Sequence, residues 1–257
     1  MNEASLDSHQ IPSLEKSLGG MRELVDIWQN GDDLIQVPEV DDSFDTGLCV
    51  RTIAEHAIAL TESVMLLAEH GMYLQSVPLI RLTLECGITA AWVSVTPNAV
   101  KAMNYGYAVQ EQKLLRHMLN INVSVSEEKG VQVNAAVEKL AEFDAPASHS
   151  HLERSKRFAG GESLYLPYRK LSKVSHAGQS ILHQYLHVKH EFADPEKGYA
   201  IELSPRYEWV EQAFGSQVVS LILTLTAWDE MTTDRPWSSQ IQNLADRFHV
   251  VRTIRGI

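Results

Sequence analysis

Two short constellations hold residue types at spacings that chemistry needs. The first is Arg81 and Glu85, the only ionisable side chains apart from Cys86 between Ser76 and Val100. They stand four residues apart, so on a helix they share a face and pair. A guanidinium has more donors than one carboxylate can accept, so a further acceptor is expected from a neighbouring helix. In an apolar setting such a pair either fixes how helices dock or forms one wall of a polar pocket.

The second constellation is Tyr165, Arg169, Ser172 and His176, with Gln179 and His183 beyond, all spaced by three or four residues. A helix over Glu162 to about Leu186 would put them on one polar face. A histidine there can act as a general base, and an arginine beside it can hold a phosphate and stabilise developing charge. Together His176 and Arg169 could activate a ribose 2'-hydroxyl against the adjacent phosphate, a step that needs no metal, with Ser172 positioning a phosphate oxygen. The spacing is weak evidence alone, because Arg51 and His56 repeat it at the start of a Glu-rich helix.

Other chemistries find less support. His183, His187 and His190 have spacings of four and three, which on a helix could present two imidazoles to one ion. No acidic residue of the HExxH type lies between them, so no metal and no cofactor is expected. Walker, dinucleotide-binding and GxSxG patterns are missing. His149 and His151 read as exposed loop residues, Cys49 and Cys86 as small core residues, and Tyr105, Tyr107, Trp92 and Trp228 as core aromatics.

A net charge of -11 argues against indiscriminate binding to nucleic acid or acidic membranes. The charge is unevenly spread. Residues 1–45 hold 11 acidic side chains against Lys16 and Arg22, whereas 154–173 gathers Arg154, Lys156, Arg157, Arg169, Lys170 and Lys173. A phosphate-bearing partner would be drawn to the second segment. The first ten residues lack a signal-peptide pattern, so a cytoplasmic setting without membrane attachment is expected.

The elements that must position these residues read as helices. Helical periodicity predicts a short helix over Ser13–Trp28, an acidic connector at 31–45, and a long helix from Thr46 to Gly71. The buried helix carrying Arg81 follows, with Pro78 tolerable in its first turn. Further helices are expected over Ala99–Asn120, Ser126–Phe143, Tyr207–Met231 and Pro236–Val251, with a mobile loop at 144–163 and a loop or short strand at 191–205. The sum is an all-α bundle of about seven or eight helices. Residues 1–45 form an acidic N-terminal segment and 46–257 a single domain.

RLTLE at Arg81–Glu85 and YRKLSKVSH with Tyr168, Ser172 and His176 together resemble a family of uncharacterised, mostly bacterial helical proteins. The resemblance covers about Arg51 to Leu186. It implies an architecture similar to HEPN domains, the bundles often found in RNA-cleaving toxins and phage-defence proteins. Their Arg-His motif falls on Arg169 and His176, with Lys170 where Asn, Asp or His commonly follows the Arg. It further implies that Arg81, Glu85, Ser172 and His176 converge in one pocket, with Tyr168 beside them, and that the protein assembles as a homodimer. The expected function is metal-independent cleavage or binding of RNA. The alternative is a non-enzymatic interaction or ligand-sensing module with a partner protein, in which the same network is structural.

Overall fold

A computed structural model describes residues 11–31, 43–194, 198–250 and 252–257, with the backbone alone at 43, 188–194 and 198–200. The acidic connector expected at 31–45 lies largely outside the described residues. Eleven α-helices and one two-stranded antiparallel sheet make up the described chain, so the protein is an all-α bundle.

The bundle is built on three long helices. α2 (Ser43–Glu69) and α3 (Tyr73–Val95) are joined by a three-residue turn, with Gly71 at φ 68° where a side chain would be strained. α10 (Val210–Asp229) packs along both. α3 and α10 approach closely enough that a Cβ at Gly87 would lie 2.9 Å from the Ser220 carbonyl oxygen. α3 has the length and apolarity to cross a membrane, yet 67 % of that stretch is buried inside the fold. Pro78 sits in its second turn rather than its first, so the Leu74 carbonyl loses its helical donor.

α1 (Leu14–Gln29) closes one side. Ser13 caps it by accepting from the Lys16 N–H at 3.2 Å, and Met21 and Leu24 are wholly buried. α4 (Ala99–Asn120) and α5 (Glu127–Leu140) form an outer hairpin, and α11 (Ser238–Arg247) covers α10. Trp92 and Trp228 lie in the core, as expected, but Tyr107 is 67 % exposed and Tyr105 is half-buried against the His149 ring. Helical spacing marks one face of a helix without saying which face is covered.

Two stretches depart from the periodicity. The expected loop at 144–163 contains α6 (Pro146–His149) and α7 (His151–Ser155). The helix expected from Glu162 to Leu186 breaks after Ser175: α8 (Glu162–Ser175) ends with His176 in extended geometry, and α9 (Gln179–Tyr185) starts after Gly178. Glycine loses the most backbone freedom in a helix, and Ser and His are weak helix formers, so the chain turns there at little cost. The next segment is not a loop or a single strand but a hairpin of β1 (Leu186–Asp194) and β2 (Gly198–Leu203), with Leu186 opposite Leu203.

Candidate functional site

One face of α3 looks away from α10 toward α7 and α8, and Arg81 and Glu85 lie on it. Arg81 Nε and Nη2 both donate to Glu85 Oε1, at 2.9 and 2.8 Å. Both side chains are about four-fifths buried, with 20 % and 18 % exposed. The expected third acceptor is His176: its Nε2 lies 3.3 Å from Arg81 Nη1. A guanidinium can only donate, so Nε2 is the acceptor in this contact. His176 is the exposed end of the chain of contacts.

The other end is His151. Its Nε2 stands 3.6 Å from Glu85 Oε2, the carboxylate oxygen that Arg81 leaves unused. Burial pushes the His151 imidazole below its ordinary pKa; Glu85 opposes this, while Arg154 and Arg81 reinforce it. His151 is therefore a largely covered ring whose environment favours the neutral form, rather than a solvated loop residue. Its Nδ1 is buried without a hydrogen-bond partner among the described residues, and so is Ser172 Oγ.

The sequence did carry a signal for His151. Ser150-His151-Leu152-Glu153 has the Ser-x-x-Glu pattern that opens helices, and the Ser150 hydroxyl accepts from the Glu153 N–H at 3.4 Å. Its turn places His151 at the first helical position and Arg154 one turn on. Arg154 donates to the carbonyls of Ala147 and Ser148 and to Thr89 Oγ1, at 2.8, 3.2 and 3.1 Å, and lies 4.9 Å over Trp92. It pins α7 to α3 and has few donors left for a phosphate. Lys156 is taken up by Glu153 at 2.7 Å. The basic segment is thus partly consumed by structure.

α8 completes the wall through aromatic rings. Tyr168 lies 5.5 Å from the His151 ring and 5.9 Å from the Arg81 guanidinium, and it stacks on Tyr165 at 5.6 Å. Arg81, Glu85, Tyr168 and His176 are therefore brought together, with Ser172 one turn after Tyr168 on the same helix. Arg169 is exposed and stands 6.0 Å over Tyr165. It makes no hydrogen bond to His176 among the described residues. The arginine that meets His176 comes from 95 positions away rather than seven.

The histidine trio reads differently once the hairpin is known. His183 lies on α9 and His187 on β1, where its Nε2 is 3.1 Å from the Ser204 carbonyl. The side chain of His190 is outside the described residues. Helical spacing therefore does not apply to the three, and no group of three or more ligating side chains occurs among the described residues.

A family model described as a family of unknown function (DUF5677) matches residues 48–194. The chain belongs to that family. The matched stretch of DUF5677 runs from α2 to β1 and contains every residue of the cluster, while α1, α10 and α11 lie outside it. No curated protein and no solved structure matches the chain.

Proposed function

We propose that this DUF5677 chain is an HEPN-like ribonuclease whose metal-independent site is the Arg81–His176 pair. The observation that carries the reading is their contact, which sets a candidate base against a candidate phosphate-holding guanidinium at 3.3 Å on the solvent side of the cluster. A phosphate oxygen arriving at Arg81 Nη1 replaces the imidazole there and frees the Nε2 lone pair. Nε2 then takes the proton of the ribose 2'-hydroxyl, whose oxygen attacks the adjacent phosphorus. The bond from phosphorus to the 5' oxygen breaks, and that oxygen takes a proton from water. The products are a 2',3'-cyclic phosphate and a 5'-hydroxyl.

Glu85 acts through Arg81. It holds two of the guanidinium nitrogens, so the third points at the reacting phosphate without reorganisation. In this reading Arg81 replaces Arg169 as the arginine of the site. The basic side chains left exposed on α8, Arg169, Lys170 and Lys173, attract the substrate locally despite the net charge of -11. Removing a positioned general base lowers a rate by roughly 10²–10⁴-fold. His176→Ala should therefore cleave single-stranded RNA at least 100-fold more slowly, as an order of magnitude, than wild type. Equal cleavage by the two proteins, or none by either, would sink the proposal.

The burial of Arg81 and Glu85 favours a second reading, a non-enzymatic interaction or ligand-sensing module in which the network only docks α8 and α7 on α3. In that case His176→Ala loses stability and no RNA is consumed.

A further inference from the structure

A cavity of about 240 Å³ opens between the first turn of α8, the outer face of α10 and the segment that follows α11. Its apolar walls are Phe158, Leu164, Val219, Leu223, Phe248 and Val250. No Asp, Glu, Lys or Arg lines it among the described residues. It shares no residue with the Arg81–His176 cluster, so what it does is independent of either reading of that cluster.

An empty apolar cavity destabilises a fold in proportion to its volume, so neighbouring side chains ordinarily relax into it. Here two walls are pinned from behind. The Phe248 ring lies so close to α1 that a Cβ at Gly20 would stand 2.6 Å from it, and Lys16 Nζ is 5.2 Å from its centre. Phe158 is buried against Gly161, where a Cβ would stand 2.7 Å from the ring. The chain on either side of Phe158 is tied to the C-terminal segment: the Ala159 N–H donates to the Arg255 carbonyl at 2.9 Å, and the Ile257 N–H to the Arg157 carbonyl at 3.2 Å. Swinging either ring into the space would break this packing. The cavity is therefore built into the fold and stays open for an occupant.

We infer that this cavity binds a small, uncharged, flat aromatic molecule carrying a single N–H or O–H donor. Size comes first: an apolar cavity of roughly 150 Å³ takes benzene, and the same ratio gives about ten non-hydrogen atoms here, a bicyclic ring system. Charge is excluded next, because an ion would lose its water with no opposite charge on the walls to replace it. Two of the six apolar walls are phenyl rings, which favour an aromatic guest over a chain of equal area. The polar group is set by Ser163, whose hydroxyl already donates to the Gly160 carbonyl at 2.7 Å and so can only accept from a ligand. Such a molecule would bridge α8 to α10 and brace the helix that carries Tyr168 and Ser172.

The test is isothermal titration calorimetry of the full chain with indole, which is uncharged, close to the required size and has one N–H. Wild type should bind it with a Kd on the order of 100 μM, ordinary for so few atoms. Benzoate, a flat anion of similar size, should give no binding. N-methylindole, which lacks the donor, should bind several-fold more weakly than indole. Val219→Phe fills the cavity from α10 and should abolish indole binding. Ser163→Ala, at an exposed position, should erase the preference for indole over N-methylindole while leaving both able to bind. No indole binding at millimolar concentration, equal binding of benzoate, or full affinity in a folded Val219→Phe protein overturns the inference. If Val219→Phe does not fold, Ser163→Ala decides: loss of the preference supports the site, and its persistence overturns it.

Discussion

α3 carries two polar clusters on different faces, and they are solved in opposite ways. Toward α10, Thr83 joins Thr61 and Gln217, all three wholly buried, with the Gln217 amide donating to both hydroxyls at 3.2 and 2.6 Å. Toward α7 and α8, Arg81 and Glu85 are charged, linked to two histidines, and open to solvent at His176. Neutral groups can be sealed once hydrogen-bonded, whereas ions keep a costly desolvation debt unless water or a further partner reaches them. The difference teaches where a ligand can arrive. Only the ionic cluster has a wet end, and only it falls wholly within the stretch matched by DUF5677, since Gln217 of the neutral cluster lies beyond it.

The largest contrast should come from stranding a charge. Arg81→Met leaves the Glu85 carboxylate in a mostly apolar seam and should cost about 3 kcal/mol in denaturant unfolding, the lower end for a broken buried pair because the seam is partly wet. Adding Glu85→Leu should recover most of that loss. A single variant as stable as wild type would erase the distinction between the two faces.

A smaller, pH-dependent effect should belong to His151. Burial sets its folded pKa below the unfolded value of about 6.5, so the unfolded chain binds more protons as the pH drops. The stability from keeping the ring neutral is complete above that value and is lost as pH falls below it. Thermal melts of wild type and His151→Gln between pH 7.5 and pH 5, a range chosen roughly to bracket that pKa, should show the wild type losing more stability. Parallel curves would place His151 in solvent.

Gln217→Leu should change stability by only about 1 kcal/mol. Thr61 and Thr83 still donate to the carbonyls of Ala57 and Leu79, and the variant removes a Gln217 Oε1 that finds no donor among the described residues. A loss several times larger would show that the sealed cluster holds the helices as firmly as the ionic one. The smallest effect is at Cys86. Burial first, then Glu85, pushes its thiol up to about 12. Folded protein should therefore resist thiol alkylation at neutral pH, with labelling appearing only on unfolding.

Much of this was legible in the chain before any fold was known. The i,i+4 spacing of Arg81 and Glu85 inside an apolar run is enough to pair them, and Ser13, Gly71 and Ser126 mark helix ends with caps that the structure uses. Less legible was the end of α8. A three-to-four spacing continues smoothly through His176 to His183, and only Gly178 hints that the helix stops. His151 was marked locally by Ser150 and Glu153 as the start of a helix, but its partner Glu85 lies far back in the sequence.

The residues themselves therefore determined which faces of each helix are polar, because periodicity and capping act over one or two turns. The packing of α7 and α8 on α3 decided which polar faces meet. That packing made Arg81, rather than Arg169, the neighbour of His176, and it turned His151 from a loop residue into the buried end of an ionic chain. Docking depends on how side chains from distant segments interlock, which no local spacing encodes.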